Sequence, residues 1–182
     1  MHTPKKPHVL LCEFFNRPTL IVAQELLGKT LVREEKDIQK TLLISEVEAY
    51  DGPHDKASHA HKGITERNKI MFDAGGYWYI YLIYGTHWML NITTGPKEYP
   101  AAILIRTAYT KNNMLINGPG KITKYLNIDK KYNKLPGKKS SGLWIEDRGI
   151  KIPSSCIIKK KRIGVNYAGP WAHKLYNFSV TW

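Results

Sequence analysis

Residues 77–106 read YWYIYLIYGTHWMLNITTGPKEYPAAILIR, a pattern typical of an antiparallel β-sheet. Tyr84-Gly85-Thr86 predicts a tight reversal, and Gly95-Pro96 predicts a second turn. The strands around these turns are predicted over 77–83, 88–93 and 101–108.

The three tyrosines of the first strand should share one face, because side chains alternate across a strand. They are Tyr77, Tyr79 and Tyr81. Aromatic faces spaced in this way can fill a core or sandwich a planar ring. Tyr84 stands at the reversal, where its ring should protrude, and such a ring could act as a wedge in a stack of bases.

Upstream, 30–33 and 41–50 predict two strands joined by the charged turn 34–40. Glu46 and Glu48 should lie on one face, about 6.6 Å apart along the strand. That separation is at the lower edge of what lets two carboxylates direct water onto a glycosidic carbon with inversion. The more frequent role of such acids is in structural ion pairs. The face is predicted to carry Ile44, Glu46, Glu48 and Tyr50.

Arg106 is the only cation in an apolar predicted strand. A strand of this kind buries an arginine only against an acid, and Glu46 or Glu48 could supply it. Such a pair would keep the glutamate ionised and able to activate water.

The composition fits one globular domain over 1–182, with a disordered start over 1–8. Lys and Arg number 28 against 15 Asp and Glu, a net charge of +13, which favours a polyanionic partner such as nucleic acid. No basic amphipathic helix or long apolar span suggests a membrane. The start lacks a signal peptide, so the protein is not expected to be secreted.

Metal and disulfide chemistry are not predicted. Cys12 and Cys156 are isolated and are expected to be buried, reduced thiols. Residues of metal-ligand type do occur, but their spacing fits no familiar site. They are His54, Asp55, His59 and His61.

The second half predicts a helix after Asn117-Gly118-Pro119-Gly120. Lys121 in its first turn could hold a phosphate, although the sequence also fits an ordinary cap. The basic run 159–162 is either a solvated edge or a phosphate contact. Further strands are predicted over 143–146, 149–152, 156–165 and 175–182.

Six segments together resemble the alkyladenine (3-methyladenine) DNA glycosylase family, in order from about residue 9 onward. They are EVEAYDGPHDKASH, RNKIMF, GGYWYIYLIYGTHWMLNI, AAILIR, NGPGKIT and RIGVNYAGPWA. The resemblance implies an α+β domain with a curved, mainly antiparallel sheet, a protruding hairpin and short flanking helices. The compact chain is expected to be a monomer without cofactor or metal, in the cytoplasm or nucleoid of a bacterium or the nucleus of a eukaryote.

The activity implied is base excision repair by a monofunctional DNA glycosylase. Such an enzyme flips an alkylated or deaminated purine out of double-stranded DNA and hydrolyses its N-glycosidic bond, leaving an abasic site. The substrates expected are 3-methyladenine, 7-methylguanine, hypoxanthine and ethenoadenine.

The resemblance also implies residue roles. Glu48 would activate the water, held also by Arg106 and the carbonyl of Ile163, and Glu46 would be structural. Tyr84 would intercalate, and Asn91 would disfavour the 2-amino group of guanine. The flipped base would be enclosed by Tyr50, His59 and Tyr81. Contacts to the DNA backbone are expected from Thr86, Lys121, Lys161 and Arg162.

The sequence departs from the family pattern in three places. Thr86 and His87 stand where bulkier groups flank the wedge, Glu66 replaces a proline, and the segment 107–116 is short.

Three other functions fit parts of the chain. A carbohydrate hydrolase would use both Glu46 and Glu48. A nucleic-acid-binding module would use the tyrosines for stacking without any reaction. A bifunctional glycosylase/lyase would use a lysine such as Lys121 as nucleophile.

Overall fold

A computed structural model describes residues 6–181. Within that range the chain forms three α-helices, which are α1 Cys12–Phe15, α2 Thr19–Leu26 and α3 Pro119–Leu126. It also forms short 3₁₀ turns at His59–Lys62, Lys69–Phe72, Lys130–Tyr132, Lys139–Ser141, Ser154–Cys156 and Asn166–His173. The strands are β1 His8–Val9, β2 Thr30–Glu35, β3 Ile38–Tyr50, β4 Trp78–Ile83, β5 His87–Thr93, β6 Ala102–Thr110, β7 Leu115–Asn117, β8 Leu143–Asp147, β9 Ile158–Lys160 and β10 Asn177–Ser179.

The strands build one curved sheet in the order β1-β8-β2-β3-β6-β5-β4. Every pairing among the described strands is antiparallel, which confirms the predicted α+β fold class. β3 spans 13 residues and lies at the centre. β2 pairs with its first half, and β10 pairs with Glu46–Glu48 along the same edge. The last described strand therefore reaches the middle of the sheet.

The main core lies between the sheet and the helices. Ile122 and Leu126 of α3 and Val22 and Leu26 of α2 pack there with Ile44 of β3. The pattern predicted Ile44 on the face of Glu48, and this is wrong. The register of β3 against β6 shifts on both sides of Glu46, and such a bulge breaks the simple alternation.

The tyrosine face was predicted correctly. Trp78 and Ile80 of β4 point into the main core, whereas Tyr79 belongs to a smaller cluster with Met71. Tyr81 packs against that smaller cluster from its edge. The face opposite the helices is therefore left for a site.

Several predicted elements differ from the structure. Residues 149–152 form no strand, and 156–165 contain only β9. The predicted strand 175–182 is limited to β10, and its last residue lies outside the described chain. Of the predicted disordered start, 1–5 lie outside the described residues, and His8 pairs with Asp147. Within residues 6–181, no helix combines the length and apolar character needed to cross a bilayer.

Candidate active site

One row of paired residues crosses the sheet on the face opposite the helices. The pairings place Asn177 beside Glu48, Glu48 beside Leu104, Leu104 beside Asn91 and Asn91 beside Tyr79. Directly paired residues point to the same face, so the row brings residues from five strands together. It contains a carboxylate, two amides and a phenol within about 20 Å.

A cavity of about 600 Å³ opens above this row. Its walls come from the end of β3, the turn 57–59, the β4–β5 hairpin, β6 and the segment 163–167. Among the residues predicted for the site, those that line it are Tyr50, His59, Tyr81, Tyr84, Asn91, Arg106 and Ile163.

Glu48 lies directly behind the cavity wall and has no solvent exposure. Its Oε1 accepts the backbone N–H of Ile163 at 2.8 Å and the amide of Asn177 at 3.2 Å. Its Oε2 accepts the hydroxyl of Tyr50 at 3.0 Å and lies 3.4 Å from Nη1 of Arg106. A buried carboxylate is tolerated when donors surround it in this way. The carboxylate is therefore held in one orientation beside the cavity.

Arg106 pairs with both acids, as its apolar strand predicted. Nη1 lies 3.4 Å from Glu48 Oε2, and Nε lies 3.7 Å from Glu46 Oε1. Its side chain is 15% exposed, so solvent screens the pairs only partly. The guanidinium thus connects the two carboxylates on the cavity side.

Glu46 is held by two side-chain donors. Asn177 donates to its Oε1 at 2.7 Å and Thr107 donates to its Oε2 at 2.7 Å. Burial raises the pKa of Glu46, but these hydrogen bonds and the charges of Lys160 and Arg106 outweigh it, and the pKa is lowered overall. Glu46 is ionised at neutral pH, and its oxygens face the protein.

The aromatic wall of the cavity contains a buried, uncharged histidine, His59. Nδ1 of His59 lies 2.8 Å from the hydroxyl of Tyr79, and its ring packs edge-on against Tyr81 at 4.6 Å between centroids. Burial lowers the pKa of His59 to about 4, and the charge of Arg67 adds to the effect. Burial raises the pKa of Tyr79 to about 12, and it raises the pKa of Tyr81 as well. All three rings are uncharged at pH 7.

Asn91 is fixed in the floor by the backbone around it. Its Nδ2 donates to the carbonyls of Tyr79 at 3.0 Å and Met89 at 3.3 Å. The side chain is 2% exposed and borders the cavity. Its orientation is therefore set by β4 and β5 before any ligand enters.

The β4–β5 hairpin carries Tyr84 at its tip. The ring is 91% exposed, and the residue adopts a φ of 49°. A left-handed tyrosine is unfavourable by about 1–2 kcal/mol. The loop closes through a hydrogen bond from Thr86 N–H to the carbonyl of Ile83 at 3.1 Å. Its place at the tip of the hairpin keeps the ring out of the core and at the cavity rim.

Arg162 was expected to contact the DNA backbone, and the structure shows that this is wrong. Its side chain is completely buried and forms a two-pronged pair with Asp55, including an Nη2–Oδ1 bond of 2.8 Å. It cannot reach a phosphate, because both hydrogen-bonding ends face inward. The other expected backbone contacts, Thr86, Lys121 and Lys161, have exposed side chains.

Sequence reasoning missed four residues of the site. The guanidinium of Arg67 lies 4.8 Å from the ring centre of Tyr81. Tyr79, which was given no role in enclosing the base, lines the cavity, and Tyr167 lies at its rim with 71% exposure. Asn177 has no distinguishing sequence signal. The alternating tyrosines were the one available clue, and they indicate Tyr79 as well as Tyr81.

The described residues offer no grouping suited to metal or disulfide chemistry. Within residues 6–181, no group of three or more His, Cys, Asp or Glu side chains is arranged to hold a metal ion. Cys12 and Cys156 are free and exposed, so the expectation of buried thiols is wrong. Cys12 begins the four-residue α1 and Cys156 lies in a surface 3₁₀ turn, which explains their exposure.

Comparison with known proteins gives consistent matches over nearly the whole chain. The profile of the family described as Methylpurine-DNA glycosylase (MPG) matches residues 13–181. A Legionella pneumophila (strain Paris) protein named "Putative 3-methyladenine DNA glycosylase" is 42% identical, over 94% of this chain and 93% of its own. Proteins of the same name from Rickettsia peacockii and Anaeromyxobacter dehalogenans are 41% and 40% identical. These alignments cover 93% and 92% of this chain, and 88% and 81% of the two relatives.

Proposed function

Because the chain belongs to the methylpurine-DNA glycosylase family and is a DNA glycosylase, we propose that it excises alkylated and deaminated purines from double-stranded DNA by direct hydrolysis. The substrates proposed are 3-methyladenine, 7-methylguanine, hypoxanthine and ethenoadenine. The products are the free base and an abasic site. The chain acts as a monomer, since one copy supplies the cavity, the hairpin and the basic surface.

The observation that carries this proposal is the buried Glu48 behind the wall of the aromatic-lined cavity. Four hydrogen-bond donors surround its carboxylate, and three of the donating residues, Tyr50, Arg106 and Ile163, line the cavity. An ionised carboxylate in this position can take a proton from a water held between it and the sugar. Glu48 is the general base, and Arg106 helps to place it.

Base recognition follows from the aromatic walls. Tyr50, His59 and Tyr81 can enclose a planar ring in the cavity. Alkylation at N3 or N7 gives the purine a positive charge, which makes it a good leaving group. His59 stays neutral at physiological pH because burial and Arg67 lower its pKa to about 4, so it adds no repulsion against such a base.

Access to the base requires its extrusion from the duplex, which costs a few kcal/mol. Tyr84, at the tip of the hairpin beside the cavity, is placed to fill the gap that the base leaves. The net charge of +13 supplies non-specific affinity for the phosphate backbone. Lys121 and Lys161 are exposed and available for such contacts.

One observation favours water over a lysine as the nucleophile. A second favours a single catalytic carboxylate, Glu48, over a pair of them. Within residues 6–181, the cavity lining contains no lysine. Glu46 lies outside the lining, and its carboxylate is bound to Asn177 and Thr107. A structural role for Glu46 follows.

The test uses duplex oligonucleotides with a single hypoxanthine or 3-methyladenine. Excision is measured as alkali-labile abasic sites. We expect Glu48→Gln to lower the single-turnover rate by at least about 100-fold while DNA affinity is kept. Glu46→Gln is the matched control and should lose much less. The proposal fails if neither lesion is excised by the wild type, or if Glu48→Gln remains active. A covalent adduct trapped by borohydride would contradict water as the nucleophile.

A further inference from the structure

Asn177 stands directly across from Glu48 in the sheet. β10 runs antiparallel to β3, with Asn177 opposite Glu48 and Ser179 opposite Glu46. The amide of Asn177 donates to Oε1 of Glu46 at 2.7 Å and to Oε1 of Glu48 at 3.2 Å. One buried amide therefore joins the two carboxylates from the side away from Arg106.

The two oxygens of Glu48 have different surroundings. Oε1 accepts from the backbone N–H of Ile163 and from Asn177, which is 1% exposed. Two N–H donors occupy the two acceptor positions of that oxygen. Oε2 contacts Tyr50 and Arg106, and both of these residues line the cavity. Ile163 lines the cavity as well, but it reaches Oε1 through its backbone N–H, whereas Oε2 meets side chains and its contact with Arg106 is long, at 3.4 Å. Oε2 is therefore the less tightly held oxygen.

The orientation of the Asn177 amide is dictated by the acids. Both carboxylates are acceptors, so Asn177 must turn its N–H₂ group toward them. Its Oδ1 is then left buried without a hydrogen-bond partner. An unsatisfied buried acceptor is unfavourable, and a side chain that only filled space would avoid it. The acids, and not the packing, determine how this amide lies.

We propose that Asn177 is a positioning residue that, with the N–H of Ile163, immobilises Oε1 of Glu48 so that Oε2 receives the proton of the attacking water. The inference rests on the proposed role of Glu48 as general base. In the step, an O–H bond of water breaks and its proton moves to Oε2. The water oxygen bonds to C1′ of the sugar, and the N-glycosidic electron pair leaves with the purine.

The hydrogen bonds from Asn177 also stabilise the ionised forms of the two carboxylates. Two neighbouring carboxylates favour protonation of one of them, and each hydrogen bond to the ionised form opposes this. Burial raises the pKa of Glu46, and the hydrogen bond from Asn177 is the largest of the effects that lower it. The same amide donates to Glu48, so both carboxylates lose a hydrogen-bond donor when Asn177 is removed.

The test compares Asn177→Leu, which keeps the shape but has no donor, with Asn177→Thr, which retains one hydroxyl donor. Ser179→Ala is the control, because Ser179 is a buried neighbour two residues along β10. Single-turnover excision, DNA affinity and thermal stability are measured from pH 5 to 9. We expect Asn177→Leu to lower the rate about 10- to 100-fold with unchanged DNA affinity. Asn177→Thr should recover part of the rate, and the control should match the wild type.

The pH profile separates positioning from folding. Removing a donor raises the pKa of a carboxylate, so the acidic limb of the Asn177→Leu profile should move to higher pH. If Asn177→Leu has the wild-type rate and the wild-type acidic limb, the inference is overturned. The proposed function then still stands, provided that Glu48→Gln is inactive. A loss that only follows the unfolded fraction, with the limb unmoved, would also overturn it. An active Glu48→Gln would instead refute the proposed function.

Discussion

Arg162 and Asp55 form an ion pair in which neither side chain is exposed to solvent. The guanidinium also donates to the carbonyl of Ala49 at 2.8 Å and lies 4.9 Å from the ring centre of Tyr50. Burial lowers the pKa of Arg162, but the hydrogen bond and charge of Asp55 prevail and raise it. The pair fastens the segment that carries Ile163 to the end of β3, where Glu48 lies.

Breaking this pair should destabilise the fold. Removal of one partner leaves a buried charge unpaired, so Arg162→Met is expected to lower the free energy of unfolding by about 3–5 kcal/mol. Lys161→Met changes the exposed neighbour and should stay within about 0.5 kcal/mol. Urea unfolding of both variants makes the comparison. Equal, small changes would contradict the structural role of Arg162.

Tyr84→Gly should separate stability from activity. Relief of the left-handed φ is worth about 1 kcal/mol and is offset by the greater freedom of glycine in the unfolded chain. Stability should therefore change little. Loss of a stacking ring costs about 1–3 kcal/mol, which predicts roughly 5- to 150-fold slower excision at limiting enzyme. Thermal melting and excision assays measure the two effects. Ile38→Ala, at the exposed start of β3, is the control and should leave excision unchanged.

The protonation of His59 should be visible by NMR. Its pKa is lowered to about 4 by burial and by Arg67, so the ring should titrate near that pH. The unfolded state binds the proton near pH 6.5 and the folded state does not, so this histidine makes stability fall as pH drops from about 6.5 toward 4. His59→Asn should lose this part of the pH dependence. Arg67→Gln should raise the pKa of His59, and an unchanged titration would disprove the contribution of Arg67.

Salt dependence can identify the phosphate contacts. Removal of one side chain that binds a phosphate should reduce the slope of log affinity against log salt by about 0.9. Lys121→Ala and Lys161→Ala are each expected to do so with undamaged duplex DNA. Lys36→Ala is the control, since Lys36 lies in the turn before β3, about 40 Å along that strand from Tyr50. A decrease as large in the control would assign the effect to net charge alone.

Local pattern was enough to predict the β4–β5 hairpin and the acidic partners of Arg106. The alternation of apolar and aromatic residues located the β4–β5 hairpin, and the apolar run around Arg106 predicted its acidic partners. The bulge at Glu46 escaped prediction because it depends on the register between β3 and β6, which single-strand alternation does not specify. For the same reason Ile44 was assigned to the wrong face.

Long-range pairs account for the rest of what sequence reasoning missed. Arg162 looks like its lysine neighbours in the run 159–162, and only Asp55, 107 residues away, distinguishes it. Asn177 is an ordinary strand residue until β10 is placed against β3. Arg67 acts through the ring of Tyr81, an interaction that no spacing predicts. Motif resemblance supplied roles for residues that local physics could not assign.

The row that runs from Asn177 to Tyr79 has a consequence for how the enzyme matures. Glu48 meets Ile163 and Asn177 across separations of 115 and 129 residues. Contacts this distant in sequence form slowly, because long loops must close first. During synthesis the carboxylate emerges early but has no complete set of donors until residue 177 has left the ribosome. Catalytic competence should therefore appear only at the last stage of folding, after the helices and the β4–β5 hairpin have assembled.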